Sequence, residues 1–252
     1  MLLQDLTDYL NDLLQTGAIP DYPQALNGLQ LENRSGEVTK IAAAVDAHLP
    51  VTLKAVERGC DLLLVHHGLF WSGAQPITGA AFTKHRTCLD NNLAVYSVHL
   101  PLDGHLEYGN SMQLGRSLEL DAAWEPFFPY KGYPIGVRAS VEVPRAELAT
   151  RLDRSLGVKA HACLAGPETV RKIGIVTGGA GAEVAQAKAM GIDTFITGEG
   201  PHWSFTLAEE LGINVFYGGH YATETFGVRA LAAHLGEKWS LPWEFLDHPT
   251  GM

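Results

Sequence analysis

Two adjacent histidines, His66 and His67, close the apolar run Asp61-Leu-Leu-Leu-Val-His-His-Gly68. The run reads as a buried strand of an α/β sheet, and Gly68 marks where the chain turns out of it. Open α/β sheets build their ligand sites at the carboxyl ends of strands, where this pair stands. Neighbouring strand residues point to opposite sides, so the pair suits two nearby metal ions, one per imidazole, better than joint chelation of one. A plain structural role uses the same pair: one imidazole donating to a backbone carbonyl, the other at the surface.

Two further segments carry ligand-type residues at predicted strand ends. Val98-His99-Leu-Pro-Leu-Asp103 follows a strand, and Pro101 argues against a helix, which puts Asp103 in a loop. Gly218-Gly219-His220-Tyr-Ala-Thr-Glu224 leads from a strand into the last helix. His220 and Glu224 are spaced to share a helix face, and the carboxylate offsets the positive end of the helix dipole. An exposed helix start with a local His/Glu hydrogen bond is the ordinary alternative. Taken together, His66, His67, Asp103, His220 and Glu224 are too many for one tetrahedral ion with an open position. They suit two ions sharing a carboxylate. Three imidazoles point to zinc, iron, manganese or nickel rather than magnesium. His99 fits a variable ligand, a proton relay or, the favoured reading, a residue hydrogen-bonded to Asp103. His202 and Glu199 suit a substrate contact or a proton donor, and equally a structural role. Gly174-Ile-Val-Thr-Gly-Gly-Ala-Gly-Ala-Glu183 looks like a dinucleotide-binding turn, but Val184 stands where its third glycine belongs. A tight turn at a helix start, with room for an anionic group, accounts for it.

These residues need a scaffold of alternating strands and helices. The pattern predicts a helix at the N-terminus with Leu3, Leu6, Leu10, Leu13 and Leu14 on one stripe, and strands at 40–45, 61–67 and 93–98. Helices lie between the strands, which implies a mainly parallel sheet. The stretch from Asp121 to Pro134 is rich in aromatics and proline without clear period, and is taken as the passage into a second lobe. There Ile135–Val143 alternates like an antiparallel or edge strand, followed by helices and strands in turn. The predicted architecture is two α/β lobes with mainly parallel or mixed sheets. One lobe comprises 1–125 with 220–252 and carries most of the ligands; the other comprises 126–219.

Lys and Arg total 18 against 28 Asp and Glu, a formal charge of −10 with no basic run, which argues against nucleic acid and anionic membrane as partners. The three cysteines, Cys60, Cys88 and Cys163, form no CxxC pair and read as small buried hydrophobes in a reducing compartment. The N-terminus carries acids where a signal peptide carries Lys or Arg, and no apolar stretch has bilayer length. A cytoplasmic protein is expected. Trp124, Phe127, Phe128, Tyr130 and Tyr133 are marked as a candidate contact between copies of the chain, or equally as cover for the seam between the lobes.

Leu-Val-His66-His67-Gly-Leu-Phe-Trp71, Ser-Val-His99-Leu-Pro-Leu-Asp103, Thr197-Gly198-Glu199 and Gly-Gly-His220-Tyr-Ala-Thr-Glu224 occur in the order seen in the NIF-three-like proteins, many of them called GTP cyclohydrolase I type 2 homologs. The chain resembles that family over essentially its whole length, in the short form without an inserted domain. It has His-His-Gly where many relatives have His-His-Pro. The resemblance implies a dinuclear metal site at His66, His67, Asp103, His220 and Glu224, with the glutamate touching both metals. It also implies a homo-oligomer, commonly a toroidal hexamer.

The function expected is a dinuclear divalent-metal-dependent hydrolase acting through a metal-activated water, on a cyclohydrolase-like, phosphoester or amide substrate. His67, Asp103 and Glu224 would hold one ion and His66, His220 and Glu224 the other, with His99 or His202 relaying the proton. A metal-binding regulator or metal-handling protein without turnover would use the same ligands. No Arg/Lys cluster beside these motifs selects a triphosphate.

Overall fold

The structure, a computed structural model, describes residues 1–252. Its contacts gather into two compact units, Met1–Leu102 with Val228–His248, and Asp103–Gly227 with Pro249–Met252. Asp103, His220 and Glu224 therefore belong to the second unit, whereas the pattern of elements in the sequence places them with the first.

The first unit begins with α1 (Leu3–Leu14), which buries Leu3, Leu6, Leu10 and Leu14 along its apolar stripe. It continues through β1 (Gly28–Leu31), β2 (Ile41–Asp46), α2 (Leu49–Glu57), β3 (Leu62–His67), α3 (Gly79–Asp90) and β4 (Ala94–Ser97). The sheet order is β1-β4-β3-β2, closed by Trp243–Phe245 from the end of the chain. All neighbours are parallel except β1, which runs antiparallel to β4. Parallel neighbours need crossovers, and α2 and α3 provide them. Because helices cover such a sheet, its strands read as unbroken apolar runs, as Ile-Ala-Ala-Ala-Val and Leu-Leu-Leu-Val do. Ala42, Ala44, Leu63, Val65 and Val95 pack on one side with Val51, Ala55 and Cys88 from α2 and α3. The register pairs Asp46 with His67 and Val65 with Ser97, which fixes what lies beside each histidine.

Leu100–Asp103 forms α4, a single helical turn. The expected loop is thus a helix. Proline is barred from helix interiors, but in a first turn its missing N–H has no partner to lose, so Pro101 fits.

The second unit runs through α5 (Asn110–Ser117), β5 (Glu125–Tyr130), β6 (Tyr133–Pro144), α6 (Arg145–Leu156), β7 (His161–Leu164), β8 (Thr169–Ile175), a 3-10 turn at Gly181–Glu183, α7 (Val184–Ala189), β9 (Thr194–Thr197), α8 (His202–Leu211), β10 (Asn214–Tyr217) and α9 (His220–Thr223). The chain then follows α10 (Thr225–Trp239) into β11 (Trp243–Phe245). The sheet order is β5-β6-β8-β9-β10-β7, parallel at β8, β9 and β10 and antiparallel elsewhere. Alternation divides the core cleanly. Ile196 and Phe216 face Leu148 and Leu152 of α6, while Phe195 and Val215 face Val184 of α7 and Ala208 of α8.

The aromatic stretch is a hairpin. Lys131 and Gly132, both at positive φ, make the two-residue turn that suits twisted antiparallel strands. Pro126 and Pro129 are tolerated because β5 is the sheet edge. Phe127 and Phe128 are 2% and 5% exposed and lie in one core with Phe195 and Val215. Phe128 has φ of 61°, which breaks the alternation and lets two consecutive rings enter the same core. The expectation of an exposed contact at this pair is therefore corrected: these rings hold the second unit together. Cys60, Cys88 and Cys163 are buried and unbridged. No helix is long and apolar enough to cross a membrane.

Candidate functional site

In the first unit, three imidazoles gather where β3 and β4 end. His66 is fully buried, His67 is 5% exposed and His99 is 6% exposed. Their ring centroids are 4.8 Å (His66–His67), 4.9 Å (His66–His99) and 5.6 Å (His67–His99) apart. One ring nitrogen from each falls in a group whose members all lie within 4.8 Å of one another. Simple alternation would have separated His66 from His67. At the strand end, each ring is instead drawn onto its own neighbour, and the two converge.

Every one of the three rings is held through Nδ1. His66 Nδ1 is 2.9 Å from the Val98 carbonyl oxygen, on the β4 side. His67 Nδ1 is 2.9 Å from Asp46 Oδ1, on the β2 side, where the strand register puts that carboxylate. His99 Nδ1 is 2.8 Å from Asp21 Oδ1. A proton on Nδ1 directed at an oxygen leaves the lone pair on Nε2, which is the arrangement that metal-ligating histidines use. Asp21 is itself fixed. Its Oδ2 accepts from the Leu100 N–H and from Asn27 Nδ2, both at 2.9 Å, and Asn27 Oδ1 accepts the His99 N–H at 2.7 Å. Burial opposes ionisation of Asp21, but His99, Asn27 and the Tyr22 N–H outweigh it and hold its carboxyl below the usual range. Trp71 stacks on His67 at 4.5 Å between centroids and lies 4.4 Å from His99, covering the cluster with an apolar ring.

The second unit arranges the expected carboxylates around the turn that follows β8. Asp103, 6% exposed, accepts at Oδ1 from Asn110 Nδ2 at 2.8 Å and from Thr177 Oγ1 at 3.2 Å. Asn110 is oriented in turn by the Gly227 N–H, 2.6 Å from its Oδ1. The next residue of the turn, Gly178, has φ of +68°, and a Cβ there would collide with the Glu224 carboxylate. Only glycine meets both conditions. Glu224 is 2% exposed, and its Oε2 lies 3.2 Å from His220 Nε2 across one turn at α9. His220 Nδ1 lies 2.8 Å from Glu199 Oε1. The Gly178 carbonyl fixes Glu199 from behind by accepting the Gly198 and Glu199 N–H groups at 2.8 and 2.9 Å. Burial disfavours the imidazolium of His220, yet the Glu224 and Glu199 carboxylates outweigh it and push its pKa up to about 9. The glycine-rich turn is therefore the support of a carboxylate pair.

Glu199 and His202, expected as substrate contacts or structural residues, line a cavity of about 690 Å³ in this unit. It opens at the carboxyl ends of the parallel strands β9 and β10, where open α/β sheets place ligands. His202 is exposed at the start of α8. His161 lines the same cavity.

The donor set fits a divalent transition metal. The buried, Nδ1-anchored imidazoles of the first unit are borderline-soft ligands and the buried carboxylates of the second are hard ones, both of the kind zinc, iron, manganese or nickel accept. Pattern reading missed Asp46, Asp21, Asn110, Thr177 and Gly178. Asp46 carried a usable signal, since it closes β2 as His67 closes β3. Asp21 carried none, because it lies in the irregular Pro20–Pro23 segment.

Comparison with known proteins gives the same picture over the whole chain. The profile of the Duf34/NIF3 (NGG1p interacting factor 3) family matches residues 1–250. A protein of Deinococcus radiodurans named GTP cyclohydrolase 1 type 2 homolog is 40% identical over 253 residues, covering 98% of this chain and 94% of the relative. The solved structure of protein ybgI, described as of unknown function, has a TM-score of 0.91 at 36% identity and covers 100% of both chains. That of TTHA1606 from Thermus thermophilus has a TM-score of 0.87 at 38% identity, again covering 100% of both. With its two mixed sheets, its buried His and Glu groups able to bind a metal, and a full-length match, the chain belongs to the Duf34/NIF3 family.

Proposed function

We propose that this protein is a dinuclear divalent-metal-dependent hydrolase with His66, His67, Asp103, His220 and Glu224 as its metal ligands. The observation that carries this reading is the common anchoring of the imidazoles. His66 and His67 are both buried with Nδ1 on an oxygen, which sets the tautomer for ligation through Nε2 before any ion arrives. Asp103 and Glu224 support it as buried carboxylates, hard ligands of the kind a divalent ion accepts. Bound there, a divalent ion would polarise the scissile group and lower the pKa of a coordinated water towards neutrality. The protein's own part is orientation. Asn110 and Thr177 aim Asp103, Gly178 leaves room for Glu224, and Glu199 holds His220. His99, its Nδ1 held by Asp21, is the chain's candidate proton relay. His202 on the cavity wall is the second candidate. The names of the relatives suggest a cyclohydrolase-like reaction, and phosphoester and amide hydrolysis suit the same machinery.

Elemental analysis after reconstitution tests the metal reading, with close to two ions per chain expected. Saturation at one removes the dinuclear assignment, and no retained metal removes the reading altogether. Screening the loaded protein against nucleotides, phosphoesters and cyclic amides, with His67→Ala as control, tests turnover. Two bound ions without any turnover would favour a metal-binding regulatory or metal-handling role. We also propose that the chain works in the cytoplasm as a homohexamer, through a surface that does not include Phe127 and Phe128.

A further inference from the structure

The cavity beside β9 and β10 is larger than the positioning of His220 requires. Its volume of about 690 Å³ falls within the range of small-molecule sites, roughly 300–1,000 Å³. Phe205, Tyr217 and Tyr221 line it. The His161 ring lies 5.3 Å from that of Phe205 and 6.2 Å from that of Tyr217, so the wall is an aromatic group rather than scattered residues. No arginine lines it, and its one lysine, Lys159, is exposed, so it lacks the forked donors that grip a phosphate or carboxylate.

Its anionic side chain is Glu199, 43% exposed. Oε1 of Glu199 is engaged by His220 Nδ1 at 2.8 Å. A carboxylate has a second oxygen with acceptor capacity of its own. The bonds of the Gly198 and Glu199 N–H groups to the Gly178 carbonyl fix the backbone there, and the His220 contact orients the carboxylate itself. Aromatic side chains around a fixed carboxylate favour a flat ring bearing N–H donors, the more so if it is cationic.

We propose that this cavity is a ligand site for an aromatic amine or amidine, whose ring lies among Phe205, Tyr217 and Tyr221 and whose N–H edge is bound by Glu199. The same Glu199 holds His220, so the ligand and that imidazole share one carboxylate. In calling the occupant a substrate, this rests on the reading of His220 as a metal ligand; the binding itself does not.

The test uses the full-length protein, metal-free and zinc-loaded, with benzamidine as probe and benzoate as a control of the same shape and opposite charge. Calorimetry or ligand-detected NMR is expected to show benzamidine binding at least tenfold more tightly than benzoate. Glu199→Gln, nearly isosteric and half-exposed, is expected to weaken benzamidine about ten- to hundredfold, the scale of a charge-assisted hydrogen bond, while still melting as a folded protein. If that variant does not fold, nuclear Overhauser contacts from benzamidine to the Tyr217 and Tyr221 rings in the native protein decide the matter. Equal binding of the two probes, an unaffected Glu199→Gln, or no contact to these rings overturns the proposal. Zinc uptake is measured on the same samples. Zinc bound without Glu199-dependent benzamidine binding removes the cavity proposal alone, and the reverse removes the metal reading alone.

Discussion

Asp46→Asn isolates the step by which a carboxylate makes a histidine a better ligand. Asp46 Oδ1 sits 2.9 Å from His67 Nδ1, with the two side chains 32% and 6% exposed. Asparagine keeps the size and keeps an oxygen that accepts from Nδ1–H, so the ring stays in place. What is lost is the negative charge that raises the basicity of Nε2. A hydrogen bond to a charged group contributes about 1.5–3 kcal/mol, and the partial exposure of Asp46 places this one at the lower end. The expected loss of metal affinity is about tenfold, within the 10–100-fold range for residues that orient metal-bound histidines. The assay is competitive chelator titration of wild-type protein, Asp46→Asn and His67→Ala. Thermal unfolding without metal serves as control, where Asp46→Asn is expected to stay within about 0.5 kcal/mol of wild type. His67→Ala must lose far more affinity than Asp46→Asn. If Asp46→Asn binds metal within twofold of wild type while His67→Ala is crippled, the charge of Asp46 does not tune the site. If neither loses affinity, His67 is not a ligand and the reading of the imidazole cluster is wrong.

Gly178→Ala is expected to cost about 1–2 kcal/mol from its left-handed backbone alone, with a further loss as Glu224 is pushed aside; urea unfolding and chelator titration should both register it, and unchanged metal affinity would separate Glu224 from the ions. Phe127→Ser with Phe128→Ser is expected to destabilise by several kcal/mol, since each ring is buried in the second unit's core, and urea unfolding that matched wild type would return these rings to the surface. Burial pushes the Cys60 and Cys88 thiols from 9.0 up to about 11. A pKa raised by folding gives stability that is complete below pH 9 and lost as pH rises towards 11, up to about 2–3 kcal/mol per thiol. Unfolding measured at pH 8 and pH 11 should therefore show a fall that shrinks in Cys60→Ala with Cys88→Ala, and an equal fall in the variant would reject these thiols as its source.

The parts of this fold that could be read from the chain are those where one physical signal dominates. Leu62–His67 reads as a buried parallel strand because four apolar residues run unbroken towards its end, and α1 reads as a helix from its leucine stripe. β5 did not read as a strand. Two prolines denied it the usual pattern, and Phe128, at positive φ, destroyed the alternation that marks a half-buried strand. The sequence rule that kept Pro101 out of a helix overlooked how short a helix can be, since a one-turn element is all first turn.

The proposed ligand residues were legible for a different reason from the residues that position them. A histidine at a strand end or a His/Glu pair at helical spacing announces itself by type and local position. Asp21 reaches His99 across 78 residues of sequence, Thr177 reaches Asp103 across 74 and Glu199 reaches His220 across 21. No periodicity links such pairs, because only the sheet topology brings them together. Yet these partners decide the chemistry: they choose which nitrogen of each ring carries the proton and which oxygen of each carboxylate is already taken. His66 makes the point most simply. Its Nδ1 is held by a backbone carbonyl, Val98 O, which no substitution can remove, whereas His67 and His99 depend on the carboxylates of Asp46 and Asp21. The basicity of the latter two can thus be changed one side chain at a time, and that of His66 only by moving β4.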